Sequence, residues 1–321
     1  MKVILNLQVA ITTTIGGCTD MFTLPDTVWK KIKTLVCLPC LFSVVIAATH
    51  HKIMYLIATP RSLSTAFIRA MHARGDMEIF NEPAQQAWMI ENGNSLTQDW
   101  YIPDTPTTSS QVVDLLLDTA QTRSVFAKDQ SFIVQNLLEH DHRLLHDPHV
   151  IFAFLLRNPH HAIISFYKKW GRVIENFSYL VGYQSLYTLF LHIKEQTDKI
   201  PVVVCTENLY TNPENTVRKF CAEVDIPFLP HALHWQSLDE QCDGITEWHE
   251  TKNFELTHYW HGDAIFSTSF TQPTQYEVDA DGKPTFLEIT NPLDRQICQQ
   301  AYEENLKYYH LFLNTLAETK L

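Results

Sequence analysis

Between Met54 and Ala73 the pattern of apolar and polar positions changes period partway along. Tyr55, Leu56, Ile57 and Ala58 form an almost unbroken apolar run, the pattern of a strand buried on both faces of a parallel sheet. After Thr59, Pro60, Arg61 and Ser62, the residues Ala66, Phe67, Ala70 and Met71 recur at helical spacing and predict a core-facing stripe. Further on, "MEIFNEP" predicts a short strand ending at a proline that opens a helix. "IPDTPTTSS" predicts a loop, and "QVVDLLLDTAQ" a helix capped by Ser109 or Ser110. "SVFAKD", "HVIFAFLLR" and "IPVVVCTEN" read as three more strands. Helical patterns separate them: "SFIVQNLLEHDHRLL", then "AIISFYKKWGRV" with "YQSLYTLFLHIKEQ". This alternation predicts an α/β fold, a central parallel sheet with helices on both faces, whose function sits at the carboxyl ends of the strands. The C-terminal part is less regular, with a hairpin or loop around "DADGKP" and a helix from about Asp294 to Thr315. No Gly-, Pro- or Ser-rich linker divides it off, so it reads as elaboration of the same domain.

The N-terminal pattern is different. Lys30, Lys31 and Lys33 precede the apolar run "LVCLPCLFSVVIAA", which resembles the charged and apolar regions of a targeting segment and is shorter than the about 20 residues of a membrane span. Residues 1–53 are therefore expected to be an extension, either a targeting or anchoring segment or a mis-assigned start, ahead of a folded domain over residues 54–321. A cytoplasmic location is expected, or an exported or membrane-anchored one if residues 30–48 are a true targeting segment. Membrane association is expected only through that segment.

Charge narrows the ligand. A net charge of −12 argues against a protein that coats nucleic acid, because phosphate neutralisation needs a basic face. Seven cysteines, an odd number in a long chain, do not make a disulfide framework. Cys37 and Cys40 form a C-x-x-C, but inside the apolar run rather than at the strand-to-helix turn a redox motif needs.

In that acidic chain the loop Thr59–Thr65 stands out. A helix start presents unpaired N–H groups and a positive dipole end, so Arg61, Ser62, Leu63, Ser64 and Thr65 between a strand and a helix predict a phosphate or sulfate site. The loop lacks G-x-x-x-x-G-K-[ST], which counts against an ordinary ATPase or kinase. In "FLLRNPHHAIISFYKKW", Arg157 ends a strand, Asn158 caps, and Pro159 suits the first helical position. Ser165 lies two helical turns beyond Asn158 and returns to the same face, so Arg157 and Ser165 are expected to hold one anion. Lys169 and Arg172 would extend a basic strip.

Together "TPRSLSTAF" and "RNPHHAIISFYKKW" resemble the two cofactor signatures of the sulfotransferase family, which has a P-loop-like fold and uses 3′-phosphoadenosine 5′-phosphosulfate. "VVVCTENLYTNPENTVRKFCAEVDIPF" is similar to a third family segment that supports the fold. The resemblance implies that the first loop holds the 5′ phosphosulfate and that Arg157 and Ser165 hold the 3′ phosphate. It further implies transfer of a sulfuryl group to a hydroxyl or amine of a small-molecule or carbohydrate acceptor, without a metal. The carbohydrate and bacterial branch is closer, since Arg61 stands where many soluble members carry lysine. Leu63 stands where the family has glycine; if that position needs positive φ, leucine is strained there. The family's glycine-rich basic C-terminal motif is absent, so another element must close over the adenosine. Two alternatives stay open: a non-catalytic nucleotide-binding protein of the same fold, and a P-loop kinase-like phosphotransferase.

Glu82, at the end of the strand in "IFNEP", is the expected general base, as in similar carbohydrate sulfotransferases of the trehalose type, with Asp129 as fallback and Lys128 as a partner for the leaving oxygen. Glu82→Gln is expected to abolish turnover with little loss of stability. His140, His142, His146 and His149 lack the nearby Cys or Glu that would complete a metal set, and read as solvated helix-end histidines. Trp248, Tyr259, Trp260 and Phe266 are expected as acceptor-pocket walls.

Overall fold

Six strands build the frame of this computed structural model, which describes residues 51–93, 104–197, 199–237, 249–250 and 261–319. They are β1 (Ile53–Ala58), β2 (Met77–Asn81), β3 (Ser124–Gln130), β4 (Val150–Leu156), β5 (Val202–Cys205) and the two-residue β6 (His249–Glu250). They form one sheet in the order β5-β4-β1-β3-β2-β6, and every pairing is parallel. Parallel neighbours need crossovers, and the helices between strands supply them.

Those helices cover both faces. Along β1, Ile53, Tyr55 and Ile57 join one apolar cluster with Leu137, Phe190 and Phe312, while Met54, Leu56 and Ala58 join another with Phe67 and Phe220. Alternate side chains of a strand point to opposite faces, so a strand buried on both sides must be apolar throughout, which is why β1 reads as a run rather than an alternation. Each such side chain contributes about 1.5–3 kcal/mol when fully buried.

Three local features depart from the sequence pattern. The segment expected as one helix from Ser131 is split into Ser131–His140 and Arg143–His146. Asp141 is extended there (φ −146°), and its carboxylate accepts a bond from the Arg143 N–H at 3.0 Å, a local alternative to the helical ladder. The helix Ser109–Thr119 is capped by Thr108, not Ser109 or Ser110, because the Thr108 hydroxyl accepts from the Gln111 N–H. The C-terminal helix is longer than expected, Pro292–Thr319, and packs Phe312 on Phe190 with ring centroids 4.7 Å apart. "DADGKP" forms a tight turn, with the Asp279 N–H donating to the Lys283 carbonyl at 2.8 Å.

Strand order places the functional crevice. The crossover after β1 leads toward β2 on one side and the crossover after β4 leads toward β5 on the other, yet β1 and β4 are neighbours. A crevice must open between their carboxyl ends. Ala58 is level with Gln130 of β3 and Leu155 of β4, so the loops after all three strands meet at one height. Among the described residues no helix is long and apolar enough to cross a membrane. The N-terminal run with Cys37 and Cys40 lies outside the described residues.

Candidate active site

The loop after β1 enters the helix Ser64–Ala73 through two left-handed residues, Arg61 (φ 61°) and Leu63 (φ 63°, ψ 19°). Left-handed geometry costs a residue with a Cβ about 1–2 kcal/mol, so the surroundings must impose it. They do so through Ser62, whose hydroxyl donates to the Thr59 carbonyl at 2.7 Å and whose carbonyl accepts from the Thr206 hydroxyl at 2.9 Å. The Ser62 side chain is thus fully buried and spent inside the loop; any contact it makes with a ligand must come through its backbone. The first helical bond runs from the Phe67 N–H to the Leu63 carbonyl, and the N–H groups before it are the orphan donors of a helix start. Ser64 and Thr65 line the cavity here, and the Thr65 hydroxyl lies 3.0 Å from Nδ1 of His261.

From β4 the second signature reaches the same place. The Asn158 side chain caps the helix Pro159–Trp170 by accepting from the His160 N–H at 3.0 Å, and Pro159 opens it, as the sequence predicts. Arg157 is only 4% exposed, and one of its terminal N–H groups donates to the Arg61 carbonyl. Among the described residues no carboxylate forms an ion pair with Arg157. Arg61 Nε donates to the Ser165 hydroxyl at 3.1 Å, and its guanidinium lies 3.8 Å from the carboxylate of the exposed Asp263. Burial lowers the pKa of both guanidinium groups, and it leads every other cause. A cation as buried as Arg157 is costly unless an anion offsets its charge.

Lys168 and Lys169 also line the cavity. Arg172 does not: Gly171 ends the helix in a left-handed turn (φ 68°), and Arg172 lies beyond it, exposed. The basic strip read from spacing is therefore Lys168–Lys169, because the spacing argument assumed that the helix continued.

On the opposite side, the ends of β2 and β3 carry acid and base together. Glu82, left-handed at φ 57°, and Lys128 pair at 2.5 Å, and the Gln130 side-chain amide donates to the same Glu82 oxygen at 2.9 Å. All three line the cavity. Asp129 does not reach it. As the neighbour of Lys128 on a strand, it points to the other face, where it accepts from the Tyr55 hydroxyl at 2.7 Å and the Ala84 N–H at 3.3 Å. Burial, with a smaller push from Glu82, raises its pKa to about 8. Asp129 is thus a buried structural acid, not a fallback base.

The enclosing cavity measures about 960 Å3. Tyr276, which the sequence reading missed, closes it over the arginines: Lys168 Nζ lies 4.6 Å from its ring centroid and the His161 ring 5.7 Å from it. Tyr276 belongs to a stretch without regular structure, so no periodicity could have marked it. Of the expected pocket walls, Phe266 packs against the core cluster of Phe67 and Phe270 instead of lining the cavity, and Trp248, Tyr259 and Trp260 lie outside the described residues. Of the four clustered histidines, His140 bonds the Asn136 carbonyl at 2.9 Å and His149 pairs with Asp147 at 3.2 Å.

Two arginines, a helix start and a serine thus meet in the switch-point crevice of a parallel α/β sheet. Residues 52–278 match the family described as a sulfotransferase domain, and the chain belongs to that family. Two Arabidopsis thaliana proteins, named branched-chain-amino-acid aminotransferase-like protein 2 and protein 1, are each 25% identical to it, over 228 and 229 residues or 70% of this chain. The match takes in 37% and 38% of their lengths, so the chain spans little more than a third of the curated relatives it matches. Similar solved structures include the sulfotransferase domain from the curacin biosynthetic pathway (TM-score 0.41, 16% identity, 72% of this chain and 95% of that one). Another is the mouse sulfotransferase SULT7A1 complexed with PAP (TM-score 0.42, 10% identity, 79% and 84%).

Proposed function

We propose that this chain transfers a sulfuryl group from 3′-phosphoadenosine 5′-phosphosulfate to a hydroxyl of a small acceptor. The observation that carries this reading is the convergence of the half-buried Arg61 and the buried Arg157 on the loop after β1, with Arg157 donating to the Arg61 carbonyl and Arg61 to the Ser165 hydroxyl beside a helix start. In this reading the helix start and Arg61 take the phosphosulfate end of the donor, and Arg157, Ser165 and Lys169 take its 3′ phosphate. Glu82 receives the acceptor proton. The donor carries the reactive bond, so the chain supplies placement and charge. The loop departure at Leu63 does not argue for a dead site, because leucine takes the left-handed shape that glycine would supply.

Calorimetry with adenosine 3′,5′-bisphosphate and with ATP plus magnesium tests the reading. A sulfotransferase site is expected to bind the bisphosphate at least about tenfold more tightly, since Arg157 rewards a second phosphate. Equal or tighter binding of magnesium ATP would favour the kinase-like alternative instead.

A further inference from the structure

Tyr276 belongs to neither signature, yet it lines the cavity together with Arg61, Arg157 and Ser165. Its ring lies against the helix Pro159–Trp170: His160 meets it edge-on with ring centroids 6.1 Å apart, the His161 ring is 5.7 Å away, and Lys168 Nζ stands 4.6 Å from its centroid. The chain on either side fixes that placement. The Glu277 N–H donates to the Glu288 carboxylate at 2.9 Å, and the Glu277 carbonyl accepts from the Thr285 N–H at 3.3 Å. Val278 and Pro284 then bridge across the tight turn between them. Just before Tyr276, the Gln275 side chain hydrogen-bonds Tyr210, on the short helix Thr206–Thr211 after β5. A side chain oriented in advance by its neighbours makes a ligand contact at a lower entropic cost.

What this orientation presents to the cavity is a phenol hydroxyl. It hydrogen-bonds Ser165 and lies within the electrostatic reach of Arg157 and Arg61. Burial raises its pKa above the ordinary tyrosine value, and the opposing pull of the two guanidinium groups and the Ser165 bond does not reverse this. The hydroxyl therefore keeps its proton at neutral pH and can donate. Ser165 stands between it and Arg61 Nε, which donates to the serine at 3.1 Å. The loop after β1, the helix after β4 and the segment that carries Tyr276 thus converge on one place, each with a hydrogen-bond donor.

We infer that Tyr276 is a specificity-determining residue, whose hydroxyl donates to the 3′ phosphate of the nucleotide beside Arg157 and Ser165. This rests on the sulfotransferase reading and deepens it. A neutral donor suits the position: one more cation among Arg61, Arg157, Lys168 and Lys169 would add repulsion, whereas a hydroxyl adds a directed bond to a phosphate oxygen and no charge. The bond exists only where the nucleotide carries a 3′ phosphate, so its contribution falls on that nucleotide and not on one phosphorylated at the 5′ position alone.

The experiment is calorimetry on the full chain with adenosine 3′,5′-bisphosphate and with adenosine 5′-monophosphate, which share the base, the ribose and the 5′ phosphate. Wild type, Tyr276→Phe and Tyr276→Leu are compared. The wild type is expected to bind the bisphosphate at least about tenfold more tightly than the monophosphate. Tyr276→Phe keeps the ring against His161 and Lys168, and is expected to weaken bisphosphate binding about tenfold while changing monophosphate affinity less than about twofold. Tyr276→Leu removes the hydroxyl together with the ring and is expected to shrink the preference by as much, so either variant alone decides the matter if the other does not fold. An unchanged preference, or equal losses for the two nucleotides, would make Tyr276 a packing residue; tighter bisphosphate binding would make its hydroxyl a stopper. Each of these overturns the inference and leaves the sulfotransferase reading standing. A wild-type chain that binds the bisphosphate no better than the monophosphate overturns the 3′ phosphate site itself, and the inference with it.

Discussion

The Glu82 carboxylate and the Lys128 ammonium meet at 2.5 Å with only 4% and 1% of their side chains exposed. The pair binds the end of β2 to the end of β3 and sets a carboxylate facing the cavity. It also alters what a substitution at Glu82 reports. Treated as an isolated acid, Glu82 is replaceable by Gln at little cost in stability; paired with a buried lysine, it is not.

Glu82→Gln is expected to lower turnover about 10²- to 10⁴-fold and also to destabilise the fold by about 3–5 kcal/mol, because Lys128 is left buried without its counter-charge. Glu82→Gln with Lys128→Met removes both charges and should recover most of that stability without recovering turnover. Denaturant unfolding and a transfer assay on the single and double variants separate the two effects. Recovery of turnover in the double variant would mean that Glu82 is not the base.

Arg157 donates to the Arg61 carbonyl, and in the proposed function its remaining N–H groups meet an anion, two tasks that lysine cannot combine. Arg157→Lys is expected to weaken adenosine 3′,5′-bisphosphate binding by about 1.5–3 kcal/mol, tenfold or more. Arg172→Ala, beyond the end of the helix, should leave it unchanged. Calorimetry giving equal losses for the two variants would remove Arg157 from the anion site.

What the sequence reveals here depends on how local the physics is. β1, its turn and the following helix are legible because a period change and a helix start are properties of neighbouring residues. The same holds for Asn158 and Pro159 as cap and first turn. Side-chain direction at a strand end is legible only with the pairing known: Lys128 and Asp129 are adjacent and equally polar, and only the register of β3 decides which one meets the cavity. Tyr276 over Lys168, and Trp88 against Phe132 with ring centroids 5.2 Å apart, are less legible still, since these residues come together from segments distant in sequence. The helix break at Asp141 was readable in principle, because Asp bonding to the second residue after it is a local turn signal.

Leu63 offers a test that isolates backbone geometry from packing. Its side chain packs partly against the core, so any truncation loses contact there. Leu63→Ala and Leu63→Gly lose nearly the same contact but differ in what φ of 63° costs them. Glycine ordinarily destabilises a folded chain relative to alanine; at this position the order is expected to reverse, with the Gly variant more stable by about 1 kcal/mol. Matched urea titrations decide it. An Ala variant as stable as the Gly variant would show that the loop relaxes out of the left-handed shape.

The buried carboxyl of Asp129 should leave a pH signature on stability. Its folded pKa, raised to about 8 by burial, lies above the unfolded value of about 3.9. Between about pH 4 and 8 the folded chain therefore holds a proton that the unfolded chain has released. The stabilisation is complete below the lower value and is lost as pH rises through the upper one, with a slope of up to about 1.4 kcal/mol per pH unit. Asp129→Asn imitates the protonated form: its oxygen can still accept from the Tyr55 hydroxyl and the Ala84 N–H, and it cannot ionise. The variant should match the wild type near pH 4, exceed its stability at pH 8, and bind adenosine 3′,5′-bisphosphate equally well, since Asp129 faces away from the cavity. Parallel stability profiles for the two proteins from pH 4 to 8 would place the Asp129 pKa in the ordinary carboxylate range and end the claim that it is held neutral.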